Sequence, residues 1–105
     1  MTAVLKQQTL DLAHSVTLAQ NHPNPFNATT TVRFSLAQEA TIRLEVLNLL
    51  GQRIWTLAAG YFPAGNHTVT WDGRANDGTV AGSGVYIYSL RTEDSIQKRK
   101  MLLSR

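Results

Sequence analysis

A chain of 105 residues, 43 % hydrophobic and 16 % charged, has room for one domain around a single core and is too apolar to stay disordered. It contains no cysteine, which excludes disulfides and thiolate-bound metal and leaves packing alone to hold the fold. The net charge of +3 comes from basic residues scattered along the chain until "QKRKMLLSR" gathers them, a pattern that speaks against nucleic acid as the partner.

Residues 1–15 have weak periodicity. Leu5, Leu10, Leu12 and Ala13 suit a short helical stretch at most, and a flexible or weakly helical tail is expected there. This start lacks the apolar block of a signal peptide, and no apolar run anywhere approaches the ~18 residues of a membrane helix. A first short strand is expected around Val16 to Ala19.

The stretch "NHPNPFN" follows, residues 21–27. Two prolines remove two backbone donors and push their preceding residues out of helical geometry, so the segment is no central strand. It reads as a rigid corner between strands, with the Asn side chains bonding locally and Phe26 plugging the end of the core. The prolines also blunt an edge against pairing with another chain.

From there the period is two. "TTVRFSL" sets Val32, Phe34 and Leu36 against Thr31, Arg33 and Ser35; "TIRLEVLN" sets Ile42, Leu44 and Val46 against Arg43, Glu45 and Leu47. Both predict half-buried antiparallel strands, with "AQEA" between them as a short hairpin link. Gly51 is expected to supply a positive φ in the turn after "NLL". A strand begins at Ile54, Trp55 and Leu57, a turn falls at Pro63 to Asn66, and Val69 and Trp71 point to one side of the next strand. "WDGRANDGTVAGSG" is a long loop, "GVYIYSLRT" a strand with bulky residues on both faces, "EDS" a turn and "IQKRKMLLS" the last strand. About seven short strands without a helix predict an all-β fold, an antiparallel β-sandwich over residues 16–105, with a closed barrel as the alternative.

The loop residues Asp72, Asn76 and Asp77 are the candidate calcium ligands, although the EF-hand spacing is absent; the structural alternative is that the two aspartates bond nearby backbone amides. His14, His22 and His67 lack metal-ligand spacing and read as surface residues. No serine sits in a nucleophile elbow, the glycines of "GTVAGSG" lead into no helix, and the carboxylates are dispersed, so no enzyme and no cofactor are expected. Trp71 reads as core and Trp55 as the better candidate for an exposed or interface ring; with the tyrosines it raises the alternative of a carbohydrate-binding accessory module.

"LAQNHPNPFNATTTVRFSL", "VLNLLGQRIWTL", "PAGNHTVTWDGR", "GSGVYIYSL" and "KRKMLLSR", in this order, resemble the C-terminal sorting domain of type IX secretion, type A, which is close to the immunoglobulin-like domain of the flagellar hook-capping protein. The shared residues are Asn24, Pro25, Phe26, Asn27, Gly51, Trp71, Asp72, Gly73, Gly84 and Tyr86; His22 and Ala28 stand where many relatives have Tyr and Pro. The resemblance implies a seven-stranded immunoglobulin-like sandwich that acts as a non-catalytic sorting and anchoring module for an attached N-terminal cargo domain. It implies outer-membrane secretion machinery as partner, with no nucleic acid and no small-molecule substrate, and export through the periplasm to the cell surface. Recognition would fall on Lys98, Arg99, Lys100, Met101, Leu102 and Leu103, a strand expected to pack on one face, show charge on the other and offer a backbone edge. The chain then reads as one module of a longer exported protein. A structural spacer or assembly domain, as in the hook cap, is the remaining alternative.

Overall fold

Alternating side chains become seven strands in the computed structural model, which describes residues 15–105. They are β1 (Val16–Leu18), β2 (Thr30–Leu36), β3 (Ala40–Leu47), β4 (Arg53–Phe62), β5 (Gly65–Trp71), β6 (Gly84–Arg91) and β7 (Ile96–Leu103). No helix occurs among the described residues. Apart from Ser15, the expected tail over 1–15 lies outside them, as does His14.

Two antiparallel sheets form, β1-β2-β5 and β4-β3-β6-β7. Their inner faces supply the core: Val32, Phe34 and Leu36 from β2 meet Ile42, Leu44 and Val46 from β3 and Tyr88 and Leu90 from β6, all buried. Strand residues of one parity therefore fill the sandwich, as the period of two requires.

"AQEA" is not a hairpin link. β2 pairs with β1 and β5, whereas β3 pairs with β4 and β6, so the segment carries the chain from one sheet to the other. Two consecutive strands with apolar faces can pair edge to edge or stack face to face, and alternation alone does not choose between these. The β4–β5 link also changes sheets, while β3–β4 and β6–β7 are true hairpins. In the first of these, the Asn48 side chain accepts from the amides of Leu50 (2.9 Å) and Gln52 (3.0 Å), and Gly51 takes φ 82°.

The register defines two poles. At one lie Val16, the β2–β3 link, the β4–β5 turn and the β6–β7 turn. At the other lie the β3–β4 turn, the 72–83 loop, the 21–27 corner and Arg105. The chain enters the sandwich at the first pole and leaves β7 at the second.

Candidate functional site

The corner and the last strand form one unit. His22–Pro23 and Asn24–Pro25 are both cis. The Phe26 amide donates to the Leu102 carbonyl (2.9 Å), the Ser104 amide donates to the Phe26 carbonyl (2.8 Å), and Asn24 Oδ1 accepts from the Leu102 amide (2.9 Å). Gln20 Nε2 donates to the Lys100 carbonyl (2.8 Å). Alternate residues of an antiparallel strand aim both backbone groups to the same side. Gln20 and the corner together therefore cover the outer edge of β7 from Lys100 to Leu102. Phe26 is fully buried and packs on Trp71, with ring centroids 5.7 Å apart. Lys98 and Ile96 hold the part of the edge that the corner leaves uncovered.

The side chains of β7 divide by parity. Met101 and Leu103 are buried in the core. Arg99 shares their side, and its Nε donates to the Leu18 carbonyl of β1 (2.5 Å); Gln97 Nε2 donates to the Val16 carbonyl. These two bonds close the β1–β7 side of the sandwich. Of the six residues expected in recognition, Lys98, Lys100 and Leu102 thus turn their side chains outward, while Arg99 belongs to the closure and Met101 and Leu103 to the core.

Beyond β7 the outward face of the larger sheet is built from cross-strand rows. Arg43 of β3 stands opposite Arg91 of β6, which faces Ile96 of β7. Glu45 stands opposite Ser89, which faces Lys98; Leu47 stands opposite Ile87, which faces Lys100; Val85 faces Leu102. On β4, Arg53 lies opposite Leu47. Five cations thus share the face with one carboxylate, and one Glu45 oxygen lies 3.4 Å from both Arg43 Nη1 and Arg53 Nη1. Val85 and Leu102 are 39 % and 40 % exposed, and the adjoining β3–β4 turn holds Leu49 and Leu50 at 65 % and 83 %. The smaller sheet differs: its outward rows are Thr17–Ser35–Asn66, Arg33–Thr68 and Thr31–Thr70, with a single charge.

The other motif residues gather at the second pole as structure. Trp71 is fully buried, its Nε1 donates to the Arg74 carbonyl (2.9 Å), and Tyr86 packs on it edge-on at 5.7 Å. The Tyr86 hydroxyl donates to the Gly82 carbonyl (2.6 Å), and Gly84 opens β6 opposite Leu103. Gly73, at φ 76°, sits where a Cβ would lie 2.5 Å from Arg105 Nη2. Arg105 in turn donates to the Gly73 (3.1 Å) and Ala81 (2.7 Å) carbonyls, and its amide donates to Ser83 Oγ (2.9 Å). Asn27 is exposed beside the corner.

Asp72 and Asp77 make the backbone bonds of the structural alternative. Asp72 Oδ1 accepts from the Arg74 amide (3.1 Å), and Asp77 Oδ1 accepts from the amide and hydroxyl of Thr79. The Thr79 bonds hold the Asp77 carboxyl below the usual carboxylate range. The Asn76 amide donates to the Ile54 carbonyl (2.9 Å), which ties the loop to β4. No group of three His, Cys, Asp or Glu side chains is placed to hold a metal among the described residues.

Two ring expectations change. Trp55 lies opposite the buried Val46 and is a half-buried ring packed against the core, because β4 is an edge strand whose inner side reaches the sandwich rim. His67 is no plain surface residue: it pairs with Phe34 across β2–β5, lies 5.2 Å and 5.0 Å from the Phe34 and Phe62 rings, and bonds the Pro63 carbonyl (2.7 Å). His22 is exposed. Tyr61 is the one Phe, Trp or Tyr ring that is mostly exposed; its hydroxyl donates to Glu39, which raises its pKa.

Sequence reasoning missed a buried polar network. The Tyr88 hydroxyl accepts from the Asn21 amide (2.9 Å) and donates to the Ala19 carbonyl (2.7 Å), joining the two sheets. Asn21 Nδ2 donates to Thr30 Oγ1 (2.9 Å) and the Pro23 carbonyl (3.1 Å), and the Thr30 hydroxyl donates to the same carbonyl (2.8 Å). Burial pushes the Tyr88 hydroxyl pKa up. Its local part, the Asn21 bond to the Pro23 carbonyl, fits the local Asn bonding expected of the corner, while the Tyr88 partners lie 67 and 69 residues away and leave no signal in the sequence.

The strand order, two-sheet packing and pole geometry define an immunoglobulin-like β-sandwich domain. The family model of the FlgD Ig-like domain matches residues 20–95, and the chain belongs to that family. Among solved structures it is similar to dimeric latent PorU from Porphyromonas gingivalis, with a TM-score of 0.68 and 16 % identity over 85 % of this chain. It is also similar to PorZ from the same organism, described as an essential bacterial surface component of the type-IX secretion system, with a TM-score of 0.57 and 17 % identity over 90 % of this chain. The chain spans 9 % and 12 % of those two proteins, and at this identity the likeness is one of fold. No curated protein matches the chain.

Proposed function

We propose that this domain is a non-catalytic sorting and anchoring module that directs an attached protein across the outer membrane of a bacterium with type IX secretion. The single observation that carries the reading is the position of β7. It is an edge strand whose outward side chains, Lys98, Lys100 and Leu102, approach the pole opposite the one where the upstream chain enters. A cargo domain attached upstream would leave this pole free for the export machinery. The likeness to PorZ, whose description places it at the surface within that secretion system, supports the same setting. The domain would pass through the periplasm and act at the cell surface, without cofactor or small-molecule substrate. A carbohydrate-stacking role finds only Tyr61 as a mostly exposed ring among the described residues.

Deleting β7 is a poor test, because it also removes Met101 and Leu103 from the core. The decisive comparison keeps the chain whole. A reporter with a signal peptide is fused ahead of the 105 residues and expressed in a host with type IX export and in the same host lacking the outer-membrane machinery. Protease-accessible reporter on intact cells of the first host alone is the expected result. Equal surface exposure in both hosts, or without the domain, rejects the sorting role and leaves the structural-spacer reading.

A further inference from the structure

We infer that the outward face of the β4-β3-β6-β7 sheet is a docking surface for a protein partner that presents an acidic area beside an apolar one. The inference rests on the sorting reading and names the chemistry of its partner. The lower rows of the face, Leu47–Ile87 and Val85–Leu102, run on into the exposed Leu49 and Leu50. Strand side chains at fixed register make this apolar area flat and rigid, and the Asn48 bonds fix the turn that extends it.

Charge names the occupant. Arg43 and Arg91 stand directly opposite one another, an arrangement that costs stability within the isolated sheet. Among the described residues, Arg91, Lys98 and Lys100 have no salt-bridge partner, and the one carboxylate of the face is shared by two arginines. An acidic surface would relieve the repulsion and steer encounter. A second copy of this chain would bring five cations against five, so self-association through this face is disfavoured. A bilayer is the weaker match, because the apolar side chains sit level with the cations on strands, and the one mostly exposed ring of the face among the described residues, Tyr61 opposite Thr41, lies at the other end from its apolar rows. The opposite face, rich in Thr, Ser and Asn with Arg33 alone charged, is a built-in control.

The test uses the fusion of the whole chain in cells with type IX export. The photo-crosslinker p-benzoylphenylalanine replaces Ile87 or Leu102 on the proposed face, or Thr68 on the control face. Adducts to a protein are expected from the first two positions and not from the third. The joined peptide, sequenced by mass spectrometry, should come from a segment of net negative charge. Lys98→Glu with Lys100→Glu should lower adduct yield roughly tenfold, with the thermal midpoint of the purified domain unchanged because both side chains are exposed. Adducts of equal yield from both faces, adducts insensitive to the charge reversal, joined peptides without acidic residues, or no adduct from either position would overturn the inference. So would adducts to a second copy alone. Cosedimentation of the wild-type domain, but not of the reversed variant, with phosphatidylcholine–phosphatidylglycerol vesicles in the absence of protein adducts would assign the face to lipid instead. Adducts are read in whole cells, so the face is tested even if the fusion stays in the periplasm, an outcome that rejects the sorting reading alone.

Discussion

Tyr88→Phe isolates the polar joint between the sheets without changing the ring that fills the core. The hydroxyl is the acceptor for the Asn21 amide, and Asn21 is buried; it is also the donor to the Ala19 carbonyl. Loss of the Ala19 bond costs about 1 kcal/mol, and a buried amide left without an acceptor about 1–3 kcal/mol more, so roughly 2–4 kcal/mol is expected in total. For a domain of this size that lowers the melting midpoint by roughly 10–20 °C. Urea unfolding followed by circular dichroism should give a lower midpoint at constant slope. The pH dependence provides a second reading. The folded Tyr88 pKa is raised by burial, so the unfolded chain loses this proton first, near pH ~10. Stability is then independent of Tyr88 below that pH and falls as pH rises through the folded value. Tyr88→Phe should remove that share of the alkaline loss, leaving the part owed to Tyr61, whose hydroxyl donates to Glu39. A change below about 0.5 kcal/mol in Tyr88→Phe would refute the joint.

Trp71→Ala should cost about 3–5 kcal/mol by urea unfolding, since it empties a site packed by Phe26 and Tyr86. Gly73→Ala should cost at least about 1–2 kcal/mol from left-handed strain; the double variant with Arg105→Ala should lose less than the sum of the two single losses, because the new Cβ and the guanidinium contend for one space. Leu49→Ser with Leu50→Ser should leave the urea midpoint within about 0.5 kcal/mol of the parent, as exposed side chains on a turn fixed by Asn48 carry no core packing. Calcium or EDTA should move the thermal midpoint by no more than about 1 °C, because binding that favours the folded state would raise it and the Asp72 and Asp77 oxygens already accept bonds.

What the sequence makes legible follows the range of the interaction. Period two in 30–36 and 40–47 states which side chains go inward, and the structure buries Val32, Phe34, Leu36, Ile42, Leu44 and Val46. Gly51 and the aspartate loop are local chemistry and are readable for that reason. Pairing is not local. Nothing in "AQEA" states that it spans two sheets, and the half-burial of Trp55 and His67 depends on which strands lie at the rim. The candidate site shows the same division. Lys98 and Lys100 are visible as charges on an alternating strand, but Arg43, Arg53 and Arg91 join them only through registers set by β3 and β6.

This long-range character bears on how β7 can be read by any partner. As a linear peptide, its basic and apolar residues would all be accessible. In the folded domain Met101 and Leu103 are core, Arg99 is committed to β1, and the backbone from Lys100 to Leu102 is bonded to Gln20, Asn24 and Phe26. What remains is a composite of Lys98, Lys100 and Leu102 with side chains from β3, β4 and β6. "NPFN" and "KMLL" are thus two halves of one structure, the first covering the edge of the second. A recognition event that uses β7 while the domain is folded must therefore read a surface, and its affinity should disappear when the corner is disrupted, even with residues 96–105 intact. Phe26→Ala, which removes the buried ring packed on Trp71 and loosens the corner while leaving the sequence of β7 unchanged, separates surface reading from peptide reading: a peptide reader keeps its affinity, and a surface reader loses it.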